Sequence, residues 1–453
     1  MHDLNLQKLR LRDFRCFESI EIDFHPQLTL LVAGNGGGKT AILDAIAVAF
    51  GPYVGAFDES VGRHFDVNDI RKVHARETAS NEMEYAARGT WLEAWGRIPG
   101  SIADAAGRPS AVWSRALAGP GKKTTIRDAK ELIEYGKDQQ EAVRTPGKNI
   151  ELALLAYYGT GRLWQQKKRI EGRLARTSRT IGYTDCLDPA SSYKSFVEWF
   201  RYWSNSAKSG RIESLEAGRA YTRTEFDDYI ESVGDAVNRC LAPSGWKDVS
   251  YSLTREALEA HHDRHGRLPV EQLSDGIRNM IGMVADIAFR ATKLNPQLGS
   301  RASQETSGLV LIDEVDMHLH PEWQQVVLSG LVSAFPNVQF IVTTHSPQVL
   351  STVRRENIRI LRETETGHEA VMPDFSPLAQ EAGDALARVM GTSVHAPLPV
   401  LETVQRYEQK VRAGLEASDE AGDLKRTLDT AGYQLQDSDL AMWRLLARRK
   451  VQG

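Results

Sequence analysis

Lys39 and Thr40 close the run Ala33-Gly34-Asn35-Gly36-Gly37-Gly38, and residues of these types in this order can hold a phosphate. Successive backbone N–H groups and the N-terminus of a following helix converge on phosphate oxygens, while a lysine adds compact positive charge. Gly34, Asn35, Gly36, Gly37 and Gly38 supply the permissive nucleotide-binding backbone. Lys39 is expected to contact the β and γ phosphates, and Thr40 to ligate a magnesium ion through its hydroxyl. In the pattern G-x-x-x-x-G-K-[ST] the first glycine is replaced by Ala33. That position only begins the turn, so alanine is tolerated there if its φ is negative.

Far downstream, "LVLIDE" ends in two adjacent carboxylates, Asp313 and Glu314, at the end of an apolar strand where open α/β sheets bind ligands. Phosphoryl transfer depends on positioning and charge stabilisation, so the pair divides into a metal-holding Asp313 and a water-orienting Glu314. A second apolar run ends in "TTHSP", placing His345 where it can donate a hydrogen bond to a γ phosphate. Between them and the glycine loop, "LSDG" offers Ser274 and Gly276 as the N-terminus of a helix, an anion site in which the Ser274 hydroxyl also caps. His318 and His320 have i, i+2 spacing, too little on its own for a metal centre.

The elements that must position these residues follow from periodicity. Leu9 and Leu11, then Ile20, Ile22 and Phe24, alternate with charged residues around "DFRCFES", as two half-buried strands do. A strand over 28–32 feeds the glycine turn, and 40–50 is apolar on almost every face, a buried helix that Gly51-Pro52 is expected to stop. Ile277, Met280, Ile281, Val284 and Ile287 form one helical face after Ser274. "GLVLIDE" and "VQFIVTTHS" read as buried parallel strands. The stretch 86–266 is polar and mixed, with scattered tryptophans, and reads as a largely helical insertion lobe. Leu401, Val404, Tyr407, Val411 and Leu415, then Leu424 and Leu428, predict a helical hairpin over 396–453. The head is therefore split into 1–85 and 267–395.

Composition excludes little. The chain has 453 residues, 41% hydrophobic and 26% charged, with a formal charge of -4, so any attraction to nucleic acid must be local. Seven basic residues between Arg162 and Arg179 face a single Glu171, a candidate for sequence-independent phosphate contact, with a solvated helix face as the alternative. Three dispersed cysteines have no metal-ligand spacing and suit a reducing compartment. No stretch of about 18 apolar residues occurs, so a cytoplasmic protein without membrane contact is expected.

With four stretches in order, the chain resembles the ABC-type ATPases of the SMC and RecF superfamily. "AGNGGGKT" resembles their Walker A loop, "LSDG" the signature motif, "LVLIDE" the Walker B strand and "THS" the switch histidine. The resemblance implies an α/β fold, a P-loop ABC/SMC-like ATPase head, with ATP and Mg2+ as cofactors. It also implies a homo-oligomer, at least a dimer, in which Ser274 of one protomer completes the ATP site of another. Ser274 lies farther upstream of Asp313 than in transporter ATPases, and no glutamine loop is evident after Walker A.

"AYYGTGRLW", "DEVDMHLHPEWQ" and "THSPQVLS" are similar to stretches of antiphage-defence ATPases of the PtuA type, from Septu systems and related retron cassettes. That resemblance implies an ATPase that controls a separate HNH-type nuclease, PtuB-like and encoded nearby. Three other readings stay open. One is a RecF-like repair clamp, and another a nucleotide-sensing scaffold with negligible turnover. The third is an intrinsic nuclease, for which "HHDRHG" at His261 is the candidate centre; the stretch after His345 reads as too short for a TOPRIM domain.

Overall fold

The structure is a computed structural model that describes residues 4–58, 60–74, 83–163, 178–190, 193–365, 367–378, 388–389, 398–434 and 440–445. It divides into two compact units, residues 1–390 and 391–453. The strands of the first unit, in chain order, are β1 (Asn5–Phe14), β2 (Phe17–Asp23), β3 (Leu28–Val32), β4 (Lys72–His74), β5 (Met83–Tyr85), β6 (Thr90–Arg97), β7 (Ala111–Leu117) and β8 (Leu154–Tyr158). They continue as β9 (Trp246–Ser252), β10 (Ala257–His262), β11 (Gly266–Pro269), β12 (Gly308–Ile312), β13 (Val338–Thr343), β14 (Ile358–Thr364) and β15 (Gly367–Val371).

β1 and β2 pair antiparallel with Leu9 opposite Ile22 and Leu11 opposite Ile20. All four side chains are buried, as their alternation predicts. This pair belongs to a four-stranded sheet in the order β2-β1-β6-β7. The larger sheet runs β15-β14-β3-β13-β12-β8, with β14, β3, β13, β12 and β8 parallel and β15 antiparallel at the edge. β3, β8, β12 and β13 are buried at every residue, which is why they read as unbroken apolar runs. β13 lies between the strand that feeds the glycine loop and the strand that ends in Asp313.

The helix Lys39–Val54 touches β13 of one sheet and β1, β6 and β7 of the other. Apart from Thr40 it is buried along its length. Its apolar character on every side follows from that two-sided packing. The expected stop at Gly51-Pro52 is not observed, because the helix runs on to Val54 with Pro52 inside. Proline removes the N–H that would bond the carbonyl four residues back. The guanidinium of Arg115 takes that place, donating to Val48 O at 2.8 Å and to Arg63 O at 2.7 Å. Gly51 is required where Arg63 passes, since a Cβ there would lie 2.1 Å from the Arg63 carbonyl oxygen.

The span 86–266 departs from the expected insertion lobe in its first part. β6 and β7 complete the antiparallel sheet and β8 the parallel one. Beyond β8, the helices Tyr193–Glu216 and Glu225–Leu241 pack on the helix Asp275–Leu294, and β9, β10 and β11 form a separate three-stranded sheet. The second unit holds helices Pro399–Arg412 and Asp419–Thr430, whose Val404, Tyr407, Val411, Leu424 and Leu428 form a core with Trp443. Leu415, expected on that stripe, lies past the first helix and is half exposed. Among the described residues no helix is long and apolar enough to cross a membrane.

Candidate nucleotide site

The glycine loop links β3 to the helix Lys39–Val54. Gly36 and Gly38 have φ of 76° and 85°, the left-handed region that favours glycine. At Gly38 a Cβ would also lie 2.1 Å from Phe17 Cζ. Ala33 is not among the positive-φ residues, as its tolerance required. Its own methyl group lies where a Cβ on Gly37 would sit, 2.6 Å away, so the alanine places a second demand for glycine on the loop.

Lys39 is buried and its Nζ donates to Ala33 O at 3.0 Å and Gly34 O at 3.4 Å. Burial pushes its ammonium below the ordinary lysine range, opposed by the charges of Asp313, Glu314 and Asp316. Thr40 Oγ1 donates to Asp313 Oδ2 at 2.7 Å. The glycine loop and the Asp313 strand, 273 positions apart, therefore meet at one pair of oxygens. A hydroxyl and a carboxylate are hard oxygen donors of the kind that hold magnesium together with substrate phosphates and water, so the residues fit that ion.

Glu314 is half-buried one residue beyond, with a φ of 48°, unusual for a residue with a side chain. Its N–H donates to Thr343 Oγ1 at 2.8 Å, and that hydroxyl donates to Asp313 Oδ1 at 2.6 Å. His345 follows two residues after Thr343 and is half-buried. Thr344 donates to Asp316 Oδ1. Ser346 caps the short helix Pro347–Leu350 and donates to Gln324 Oε1 at 2.7 Å.

Ser274 stands at the N-terminus of the helix Asp275–Leu294, exposed. The hydroxyl cap expected of it is not made. Gly276 is buried, and a Cβ there would lie 2.3 Å from the carbonyl oxygen of His318. Packing against the segment that follows Glu314 is thus a sufficient reason for glycine at this position. His318 and His320 are exposed, and among the described residues no group of three His, Cys, Asp or Glu is placed to hold a metal.

A charged cluster beside the loop has no counterpart in the sequence reading. Asp44, on the loop's helix, accepts from Arg15 at 2.6 Å and Arg63 at 2.5 Å, and Arg15 also bonds Asp69 at 2.8 Å. Arg63 lies over the ring of Tyr157 at 5.5 Å, whose hydroxyl burial pushes up, helped by Asp44 and Asp313. The available signal was Arg15 in "DFRCFES", a stretch read only as the connection between two half-buried strands.

Two other candidates are placed elsewhere. "HHDRHG" forms the β10–β11 turn, where His262 and His265 gather around Trp246 and Asp263 pairs with Lys247 at 2.7 Å. Of the basic stretch 162–179, residues 164–177 lie outside the described residues. Arg179 is bonded to Leu294 O and Ile150 O at 2.8 Å each, and so secures the end of a helix.

A family model described as an AAA domain matches residues 8–227, and another, described as an AAA domain, putative AbiEii toxin, Type IV TA system, matches residues 134–351. The chain is 25% identical over 472 residues to a Vibrio cholerae serotype O1 biovar El Tor protein named Retron Vc95 probable ATPase, covering 94% of this chain and 87% of that one. It is 38% identical over 96 residues to the Septu protein PtuA of Bacillus mycoides (strain KBAB4), covering 21% of this chain and 13% of that one. A crystal structure of the SmcHead bound to the C-winged helix domain of ScpA is 15% identical, with a TM-score of 0.47, over 81% of this chain and 96% of that one.

Proposed function

We propose that the chain is an SMC/RecF-like ATPase akin to its defence-associated relatives, that it binds ATP with magnesium, hydrolyses it at a site shared between two copies, and uses turnover to control a separate HNH-type nuclease in antiphage defence. The observation that carries the reading is the meeting of Thr40 Oγ1 with Asp313 Oδ2 at 2.7 Å, beside a buried lysine and at the foot of Glu314.

In this reading the glycine loop's N–H groups and Lys39 bind the β and γ phosphates. Thr40 and Asp313 would hold magnesium, which supplies charge neutralisation on the phosphate oxygens when bound. Glu314 orients the attacking water and His345 donates to the γ phosphate, both tasks of positioning more than of covalent chemistry. Ser274, exposed at its helix N-terminus, is offered to the phosphates bound by a second copy, at least as a dimer. A difference of about 1.4 kcal/mol between nucleotide states changes the affinity for the nuclease tenfold. Support for the defence role comes from the names of the relatives.

The test is to purify the protein alone and with the product of a neighbouring HNH gene, then assay DNA cleavage with ATP present or depleted. Cleavage that needs the neighbour and changes with ATP is expected. Cleavage by the lone chain, lost on His261→Ala, would contradict the proposal.

A further inference from the structure

Thr343 is the last residue of β13, and three consecutive residues of the neighbouring strand end are bonded to it. Its hydroxyl donates to Asp313 Oδ1 at 2.6 Å and accepts from Glu314 N–H at 2.8 Å. Its carbonyl accepts from Val315 N–H at 3.0 Å. The side chain is fully buried, so water does not replace either hydroxyl bond. Thr343 is also opposite Leu31 of β3, which places it between the strand that feeds the glycine loop and the strand that ends in the carboxylates.

Two consequences follow from these bonds. Asp313 is held through both oxygens, Oδ2 by Thr40 and Oδ1 by Thr343, so the plane of its carboxylate is fixed before any ion is bound; bonds to a charged acceptor are the strong ones. Glu314 is held at a left-handed φ of 48°, which a residue with a side chain keeps only where its surroundings impose it. The bond from its N–H to Thr343 does so, and the backbone there sets the direction in which the Glu314 side chain leaves the chain.

We propose that Thr343 is the positioning residue of the site: one hydroxyl fixes the metal-holding carboxylate and the water-orienting one in register with each other. The inference rests on the proposed ATPase reading and names the residue on which its geometry depends. Removing the hydroxyl loosens both carboxylates while leaving the glycine loop, and hence nucleotide capture by Lys39, in place.

The test compares Thr343→Val, which keeps the β-branched shape and loses the hydroxyl, with Thr343→Ser, which keeps the hydroxyl. Calorimetric ATP affinity with and without magnesium is measured beside turnover and thermal midpoint. Thr343→Val is expected to lose about a hundredfold in kcat, to bind magnesium-free ATP as wild type does, and to lose most of the gain in affinity that magnesium gives. Thr343→Ser is expected to restore both properties. A Thr343→Val protein with wild-type kcat and wild-type magnesium gain would overturn the inference. So would a folded Thr343→Ser protein as defective as Thr343→Val. Wild-type protein that bound no ATP with magnesium would instead overturn the ATPase reading, a distinct result.

Discussion

The glycine-loop end of the large sheet and the N-terminus of the helix Asp275–Leu294 treat their polar groups in opposite ways. At the first, Lys39, Thr40, Asp313 and Thr343 are bonded to one another or to loop carbonyls. At the second, Ser274 is exposed and its hydroxyl makes no cap, although serine at this position ordinarily caps. The two ends meet within the chain at the segment after Glu314, where Gly276 packs on the His318 carbonyl. In the proposed function the pre-bonded end binds the nucleotide and the exposed Ser274 is offered to a second copy.

Breaking the pre-bonded end has the largest expected effect. Lys39→Ala removes the only cation of the loop and should weaken ATP binding about a hundredfold or more in a calorimetric titration. Equal affinity in the two proteins would dissolve the contrast between the two ends. Glu314→Gln should keep ATP affinity within about threefold while kcat falls about 10²–10³-fold, separating capture from turnover in a steady-state assay.

Stability offers a control on the same helix. Arg115 is buried, and burial pushes its guanidinium down to about 10. Arg115→Met leaves the Val48 and Arg63 carbonyls without that donor and should destabilise the first unit by about 1–3 kcal/mol per orphaned group, seen as a lower urea midpoint. An unchanged midpoint would mean that Pro52 needs no such support. The smallest effect is expected at the β10–β11 turn: His261→Ala should leave ATP turnover within about twofold, as surface substitutions usually do, and a large loss would move the site.

β12 and β13 were legible because they are buried on both faces, where apolar runs end abruptly beside Asp313 and His345. β6 and β7 were not, because their alternation is broken by residues on the unexpected face. β6 turns Thr90, Leu92, Ala94 and Gly96 inward and Trp91 and Trp95 outward, where Arg12, and Arg10 with Lys8, lie over the indole rings. β7 turns Arg115 inward, where it donates to the Val48 carbonyl that Pro52 leaves without a partner and to Arg63 O. In β6 the largest aromatic rings lie on the outer face, and in β7 a charged residue joins Ala111, Trp113 and Leu117 on the inner one, so the segment read as polar and mixed. Thr343 was missed for a related reason: a hydroxyl beside an obvious histidine carries no pattern of its own, and only the neighbouring strand gives it meaning.

Mixing two inactive proteins decides whether the two ends serve different copies. Lys39→Ala lacks the phosphate-binding lysine and Ser274→Arg blocks the offered helix end, yet a pair formed from one of each keeps one composite site with both parts intact. Each protein alone should hydrolyse ATP at background. Their mixture should recover roughly a quarter of wild-type turnover if subunits exchange at random into dimers. Background activity in a mixture shown by mass to contain the mixed pair would mean that the site is completed within one chain.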